Sequence, residues 1–108
     1  MADIFISYAR EDIRWASNLT QALKSYGWSI WWDPEIPSGK EYDEIIEEEL
    51  SNARCIVVGW SEHSVKSRWV KDEAREAVEQ EKIIPVLIEG IKAPLGFRSL
   101  QNINLEAW

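Results

Sequence analysis

Short, mostly apolar segments alternate with longer amphipathic segments along the chain. Residues 4–6, 28–32, 55–58 and 83–88 are rich in β-branched or aromatic residues, which is typical of strands. Ile103 and Leu105 flank a polar residue and indicate a short fifth strand. Pro85 stands inside the fourth segment, where a missing backbone N–H is unusual for a central strand.

Three helices are predicted between these strands because apolar residues recur there every three or four positions. Gly27 suits the position after the end of the first helix, whose inner face consists of Ile13, Ala16, Leu19, Leu23 and Tyr26. Ser38 and Glu41 form a capping box for the second helix, whose face consists of Tyr42, Ile45, Ile46, Glu49 and Leu50. Ser67 caps the third helix, which runs from Arg68 to about Lys82 with an inner face of Trp69, Val70, Ala74, Ala77 and Val78.

The alternation of strands and helices predicts an α/β fold. We expect a flavodoxin-like, three-layer arrangement in which a parallel five-stranded sheet of order 2-1-3-4-5 has helices on both faces. No helix is predicted after the fifth strand, so the last helix of such a fold is missing. We therefore expect residues 1–108 to form a single domain of a longer protein.

Composition excludes several classes of protein. The net charge of −7 argues against binding to nucleic acid or to an anionic membrane, and no apolar run approaches the ~18 residues of a membrane span. Because Cys55 and His63 are the single cysteine and the single histidine, no disulfide, metal site or Ser–His–Asp triad is expected. The chain begins without a basic segment and a long apolar run, so we expect a cytoplasmic location rather than secretion.

Ligands of an open parallel sheet bind at the carboxyl ends of the strands, near the point where the strand order reverses. This rule selects residues 7–10, 33–40, 59–68 and 89–97, together with the first turns of the third helix. Trp69 and Glu73 lie four residues apart and share one helix face, where the indole can shield the carboxylate and raise its pKa.

The other notable side chains of this edge are cationic or aromatic. Arg10 and Lys40 supply positive charge, and Tyr8, Trp60 and Trp69 supply aromatic surface. Together they suit a ligand with a planar ring, a ribose and a phosphate. Each feature also has a purely structural explanation, with Trp69 in the core and Arg10 as a solvated loop residue. Glu73 would then be one of many surface glutamates.

The sequence signatures of three common classes of nucleotide- or phosphate-binding protein are absent from these segments. No Gly-x-Gly-x-x-Gly motif follows the first strand, and no Gly-Lys-Ser/Thr loop is present, which excludes dinucleotide and P-loop fingerprints. A phosphoacceptor receiver domain would need acidic residues after strand one and an Asp at the end of strand three. Here Ser7-Tyr8 and Gly59-Trp60 stand at those positions.

Five segments in order resemble those of TIR (Toll/interleukin receptor) domains, and the similarity spans essentially the whole chain. They are Asp3-Ile4-Phe5-Ile6-Ser7-Tyr8, Trp32-Asp33, Ala53-Arg54-Cys55-Ile56-Val57-Val58, Arg68-Trp69-Val70-Lys71-Asp72-Glu73 and Ile84-Pro85-Val86. The fourth is similar to the Trp-Val-x-x-Glu segment of TIR domains that hydrolyse NAD⁺, and the style of the sequence resembles bacterial members.

The resemblance implies an enzyme that breaks the nicotinamide–ribose bond of NAD⁺ and releases ADP-ribose or a cyclic isomer of it. It implies Glu73 as the catalytic residue and Trp69, Arg10 and Asp33 in substrate binding, to which we add Tyr8 for stacking and Lys40 for the pyrophosphate. NAD⁺ is then the substrate, and no cofactor or metal is expected. Some catalytic relatives carry Arg at the position of Ala9, so this chain departs from them there.

The resemblance also implies self-assembly. TIR domains of this type act when stacked, with the BB loop of one copy on its neighbour, and the matching residues are Pro34, Glu35, Ile36, Pro37, Ser38 and Gly39. We therefore expect an effector domain of bacterial immune signalling that is activated by assembly with other TIR domains. The alternative is a TIR–TIR interaction domain without catalysis.

Overall fold

Five parallel strands form one sheet in the part of the chain that the structure describes. The computed structural model describes residues 2–32 and 40–105, and the side chains of the second range from residue 44 onward. The strands are β1 (Ile4–Ser7), β2 (Ile30–Trp31), β3 (Cys55–Trp60), β4 (Ile83–Leu87) and β5 (Ile103–Asn104). Their order is β2-β1-β3-β4-β5, which confirms the predicted flavodoxin-like topology.

Helices cover both faces of this sheet. They are α1 (Ile13–Ser25), α2 (Lys40–Asn52) and α3 (Arg68–Glu79), and 3₁₀ turns stand at Arg10–Asp12 and Ser64–Lys66. Within residues 2–32 and 40–105, no helix has both the length and the apolar character needed to cross a membrane.

Alternation along the strands divides the core into two halves. Ile4 and Ile6 of β1 pack on the side of α1, whereas Phe5 packs on the side of α2 and α3. Ser7 continues this period of two and therefore faces α3. Its position beside Val58, which belongs to the α2/α3 half of the core, agrees with this orientation.

Trp60 is a correction to the sequence analysis, which placed it on the surface of the binding edge. Strand β3 continues through Gly59, so Trp60 keeps the alternation of Ile56 and Val58 and is fully buried. Its ring packs against Phe97 at a centroid distance of 5.3 Å. Residue 59 is a glycine because the Trp15 ring packs closely against it on the opposite face of the sheet, and not because the strand ends there.

The predicted inner faces of the helices were too wide. Tyr26, Ile45 and Val78 are exposed by 81%, 49% and 37%. The predicted position of Gly27 after α1 is confirmed, and this glycine has a φ of 91°. Tyr26 follows the last residue of α1, and Ile45 and Val78 lie at the borders of the apolar stripes of their helices. In α3, the buried positions are Val70, Glu73, Ala74 and Ala77.

Pro85 occupies a position of β4 that has a strand partner on one side. It lies opposite Val58 of β3, while the described pairing of β4 with β5 begins only at Val86. The missing N–H therefore removes no bond of the β4–β5 ladder, which explains why proline is tolerated there.

Gly59→Ala is expected to destabilise the fold by about 1–3 kcal/mol, because the added methyl group overpacks the core. A Cβ at this position would lie 2.5 Å from Cζ3 and 2.7 Å from Cη2 of Trp15. Urea denaturation measures the loss. Trp15→Phe removes both of these ring atoms, so the double variant should lose less than the sum of the two single variants. Equal stability of Gly59→Ala and the parent chain would contradict this account.

Candidate active site at the carboxyl edge of the sheet

The end of β1 and the beginning of α3 meet at the carboxyl edge of the sheet. Ser67 fixes the start of α3, since its side chain accepts a hydrogen bond from the N–H of Val70 at 3.2 Å. The helix then places Glu73 on its inner face, opposite the last residue of β1. Ser7 and Glu73, which are 66 residues apart in the sequence, are therefore in contact.

Glu73 is a buried carboxyl group with specific hydrogen-bond donors. Its residue is 8% exposed, and the Ser7 hydroxyl donates to Oε1 at 2.6 Å. The pKa of Glu73 is raised to about 7, mainly by burial and to a smaller extent by the charge of Asp72. Hydrogen bonds from Ser7 and Trp69 act in the opposite direction and lower this pKa. Close to neutral pH, the group can therefore exist in both protonation states.

Glu73 lines a small cleft between α2 and α3. The cleft has a volume of about 220 Å³ and is lined by Ile46, Glu47, Leu50, Trp69, Asp72, Glu73 and Glu76. Its apolar side comes from α2, and the carboxylates come from both helices. Trp69, which is 44% exposed, lines the same cleft.

A larger cavity adjoins the small cleft at Trp69. Its volume is about 610 Å³, within the usual range for small-molecule sites, and its lining consists of Tyr8, Ala9, Arg10, Glu11, Glu62, His63, Lys66, Ser67 and Trp69. Arg10 and Lys66 bring two positive charges to a chain whose net charge is −7. Trp69 lines both spaces, so Arg10 and Glu73 belong to two cavities that share this indole as a wall.

The structure brings together four of the residues predicted for the site. Tyr8, Arg10 and Trp69 line the larger cavity, and Trp69 and Glu73 line the small cleft. The ring of Tyr8 also packs against Trp32 at a centroid distance of 6.2 Å. The other predicted residues, Asp33, Pro34, Glu35, Ile36, Pro37, Ser38 and Gly39, lie outside the described residues, as does the side chain of Lys40.

Sequence reasoning missed Ser7 and Lys66. The alternation of β1 already places Ser7 on the α3 side, but its partner on a distant helix has no local signal. Lys66 lies in a segment that the sheet-edge rule selected, in the turn Ser64–Lys66. His63 also lines this cavity, with its ring nitrogens 3.6 Å from carboxylate oxygens of Glu11 and Glu62.

A network of hydroxyl groups holds the turn that carries Lys66. The Ser61 hydroxyl donates to the Asp12 carboxylate and accepts the N–H groups of His63 and Ser64, each at 3.1 Å. The Ser64 hydroxyl donates to the carbonyl of Gly59 at 2.7 Å. Burial is the main cause that raises the pKa of Asp12. Because these bonds link β3 to the turn before α1, they fix two walls of the larger cavity relative to each other.

Comparison with known proteins gives one family and several related structures. A family model described as TIR domain matches residues 4–108. The TIR domain of the Toll-related receptor TRR-2 from Hydra magnipapillata superposes with a TM-score of 0.86 at 21% identity, over 97% of this chain and 85% of the other. No curated protein sequence matches the chain.

Two larger assemblies contain similar domains. The TIR domains of the activated Roq1 resistosome, which recognises the pathogen effector XopQ, share 25% identity over 81% of this chain and 57% of the other, with a TM-score of 0.68. The TIR-STING receptor of C. gigas in complex with 2′,3′-cGAMP shares 25% identity over 97% of this chain and 35% of the other, with a TM-score of 0.81.

Proposed function

Because the chain belongs to the TIR domain family, we propose that it is an NAD⁺ glycohydrolase that cleaves the nicotinamide–ribose bond. The observation that carries this proposal is the buried carboxyl group of Glu73, at a cleft that adjoins a cavity with two cations. It occupies the last position of the Trp-Val-x-x-Glu segment that resembles NAD⁺-hydrolysing members.

One carboxylate suffices for this reaction. The bond between C1′ of the ribose and the pyridinium nitrogen breaks with its electron pair on the nitrogen, so nicotinamide leaves neutral and needs no proton. The ribose becomes an oxocarbenium-like cation, which the ionised Glu73 stabilises. Water then bonds to C1′ and loses a proton, which gives ADP-ribose. A nitrogen of the adenine that attacks in place of water gives a cyclic isomer.

The cavities suggest how the dinucleotide lies. The nicotinamide riboside half occupies the small cleft beside Glu73, and Trp69 packs against a planar ring. Arg10 and Lys66 hold the pyrophosphate in the larger cavity, where Tyr8 offers a second aromatic surface. In this proposal, Lys66 joins the predicted Lys40 as a cation for the phosphates.

Assembly is the second part of the proposed function. The resistosome that contains the related Roq1 domains is an example of TIR domains within a larger assembly. We propose that copies of this chain stack through residues 33–39, so that a loop of one copy completes the site at Glu73 of another. A role in bacterial immune signalling and a cytoplasmic location stay predictions from the sequence.

The alternative function is a TIR–TIR interaction domain without catalysis. A groove on the far side of α3 favours it, with a volume of about 310 Å³ between Val78, Glu79 and the loop Leu95–Phe97. Leu95 and Val78 are both exposed in this groove and form an apolar surface that suits a contact with another protein.

We expect the chain to release nicotinamide from NAD⁺ at a rate per molecule that rises with protein concentration, because assembly completes the site. Chromatography of nicotinamide across a dilution series measures this rate, and fusion to a ring-forming protein forces assembly at low concentration. Constant rates on dilution would contradict the assembly proposal. No nicotinamide from the forced assembly would contradict catalysis and favour the interaction domain.

A further inference from the structure

We infer that Ser7 is a positioning residue for Glu73, which it holds through Oε1 so that the carboxylate is ionised and oriented when NAD⁺ enters the cleft. The inference rests on the proposed function for its consequence in catalysis. The contact itself is independent of that function, because the Ser7 hydroxyl donates to Oε1 at 2.6 Å and both groups are buried.

The strand makes Ser7 a rigid support. It is the last residue of β1, is 1% exposed, and lies beside Val58 in the interior of the sheet. A buried hydroxyl without a partner is unfavourable, and the carboxyl of Glu73 supplies that partner. By contrast, Trp69 is the more exposed donor, at 44%, and lines both cavities, so contact with a ligand can displace its indole.

The charged neighbours make such a donor necessary. The described charged residues that line the cleft with Glu73 are all acidic, namely Glu47 on α2 and Asp72 and Glu76 on α3. Burial and the Asp72 charge both favour the protonated carboxyl. A hydrogen bond to a charged acceptor is roughly twice as strong as one between neutral groups, so the Ser7 hydroxyl favours the ionised form.

One bond to Ser7 leaves most of the carboxylate free for substrate. An ionised carboxylate has about four acceptor positions, of which the Ser7 hydroxyl takes one on Oε1 and the Trp69 indole takes another. The remaining positions can accept hydroxyl groups of the ribose or face the cation at C1′. Because the hydrogen bond ties Oε1 to a rigid strand, it also restricts the rotation of the carboxyl group and therefore the direction of Oε2.

Direct titration of Glu73 tests this role without any assay of activity. In protein labelled with ¹³C at the glutamate carboxyls, we expect Ser7→Ala to move the pKa of Glu73 upward by about one pH unit or more. Ser7→Thr keeps the hydroxyl and should leave the pKa close to that of the parent chain. Thr20→Ala, which removes a buried hydroxyl of α1 on the other face of the sheet, is the matched control and should also leave it unchanged.

The pH dependence of nicotinamide release gives the second readout. With Ser7→Ala, the rise of kcat/KM with pH should move upward by the same amount as the titration, and activity should recover partly at high pH. An unchanged pKa of Glu73 in Ser7→Ala, or an equal rise in the Thr20→Ala control, would overturn the inference. If the parent chain releases no nicotinamide, the proposed function fails, and the titration still decides the role of Ser7.

Discussion

Glu73→Gln is expected to lower nicotinamide release from NAD⁺ by about 10³-fold or more, because it removes the negative charge that stabilises the ribose cation. The amide has nearly the shape of the carboxyl group, and its oxygen can still accept the hydrogen bond from Ser7. The variant should therefore fold and bind NAD⁺. The loss should appear in kcat more than in KM, since the charge acts on the cation that forms in the reaction.

Glu79→Gln provides the control for this experiment. Glu79 is also a glutamate of α3, but it is exposed and lines the groove beside Leu95 rather than the cleft of Glu73. The control should retain the activity of the parent chain when both are measured in the same forced assembly. Turnover by Glu73→Gln within tenfold of the parent chain would contradict the assignment of Glu73.

The sequence predicted the common location of Trp69 and Glu73 on α3 better than it predicted how buried each of them is. The four-residue spacing of Trp69 and Glu73 places both at the small cleft, as expected from one turn of helix. The predicted inner face of α3 included Trp69 and omitted Glu73, although the indole was expected to shield the carboxyl; in the structure Trp69 is 44% exposed and Glu73 is 8% exposed. The partner that makes a buried glutamate acceptable, Ser7, is 66 residues away and has no local signal.

The fold shows the same division between local pattern and distant contact. Alternating strands and helices predicted the order of the sheet, because period and turn residues are properties of neighbouring positions. The prediction that Gly59 ends β3 was wrong because the reason for this glycine is the ring of Trp15, on another element. The wrong placement of Trp60 followed from that error. Because the strand continues, its alternation extends to Trp60 and buries it.

The second large effect concerns stability and follows from the pKa of Glu73. In the folded chain this pKa is raised from 4.5 to about 7, mainly by burial. Below pH 4.5 the carboxyl is protonated in the folded and unfolded states alike, so its titration does not change the free energy of unfolding. Between pH 4.5 and 7, the unfolded chain loses this proton first, so the free energy of unfolding falls as the pH rises. Above the pKa of the folded state, both states are ionised and the free energy of unfolding no longer changes because of this group.

Glu73→Gln cannot titrate, so it should escape this loss of stability. The shift corresponds to roughly 3 kcal/mol, and the variant should gain that much on the parent chain between pH 4.5 and 8. Urea denaturation of both chains at several pH values measures the difference, and comparing pH values cancels any constant effect of the amide. Glu79→Gln again serves as the control, with a stability difference that does not depend on pH.

Such a result would link the stability of the fold to its proposed chemistry. A carboxyl group whose ionisation weakens the fold is unfavourable for stability alone, and glutamine at position 73 would remove that cost with nearly the same volume. A group that lowers stability near neutral pH is expected where activity requires it. A stability difference that stays constant from pH 4.5 to 8 would instead mean that Glu73 ionises with its ordinary pKa. The cleft would then hold a solvated carboxylate, and the reason for placing the reaction there would be lost.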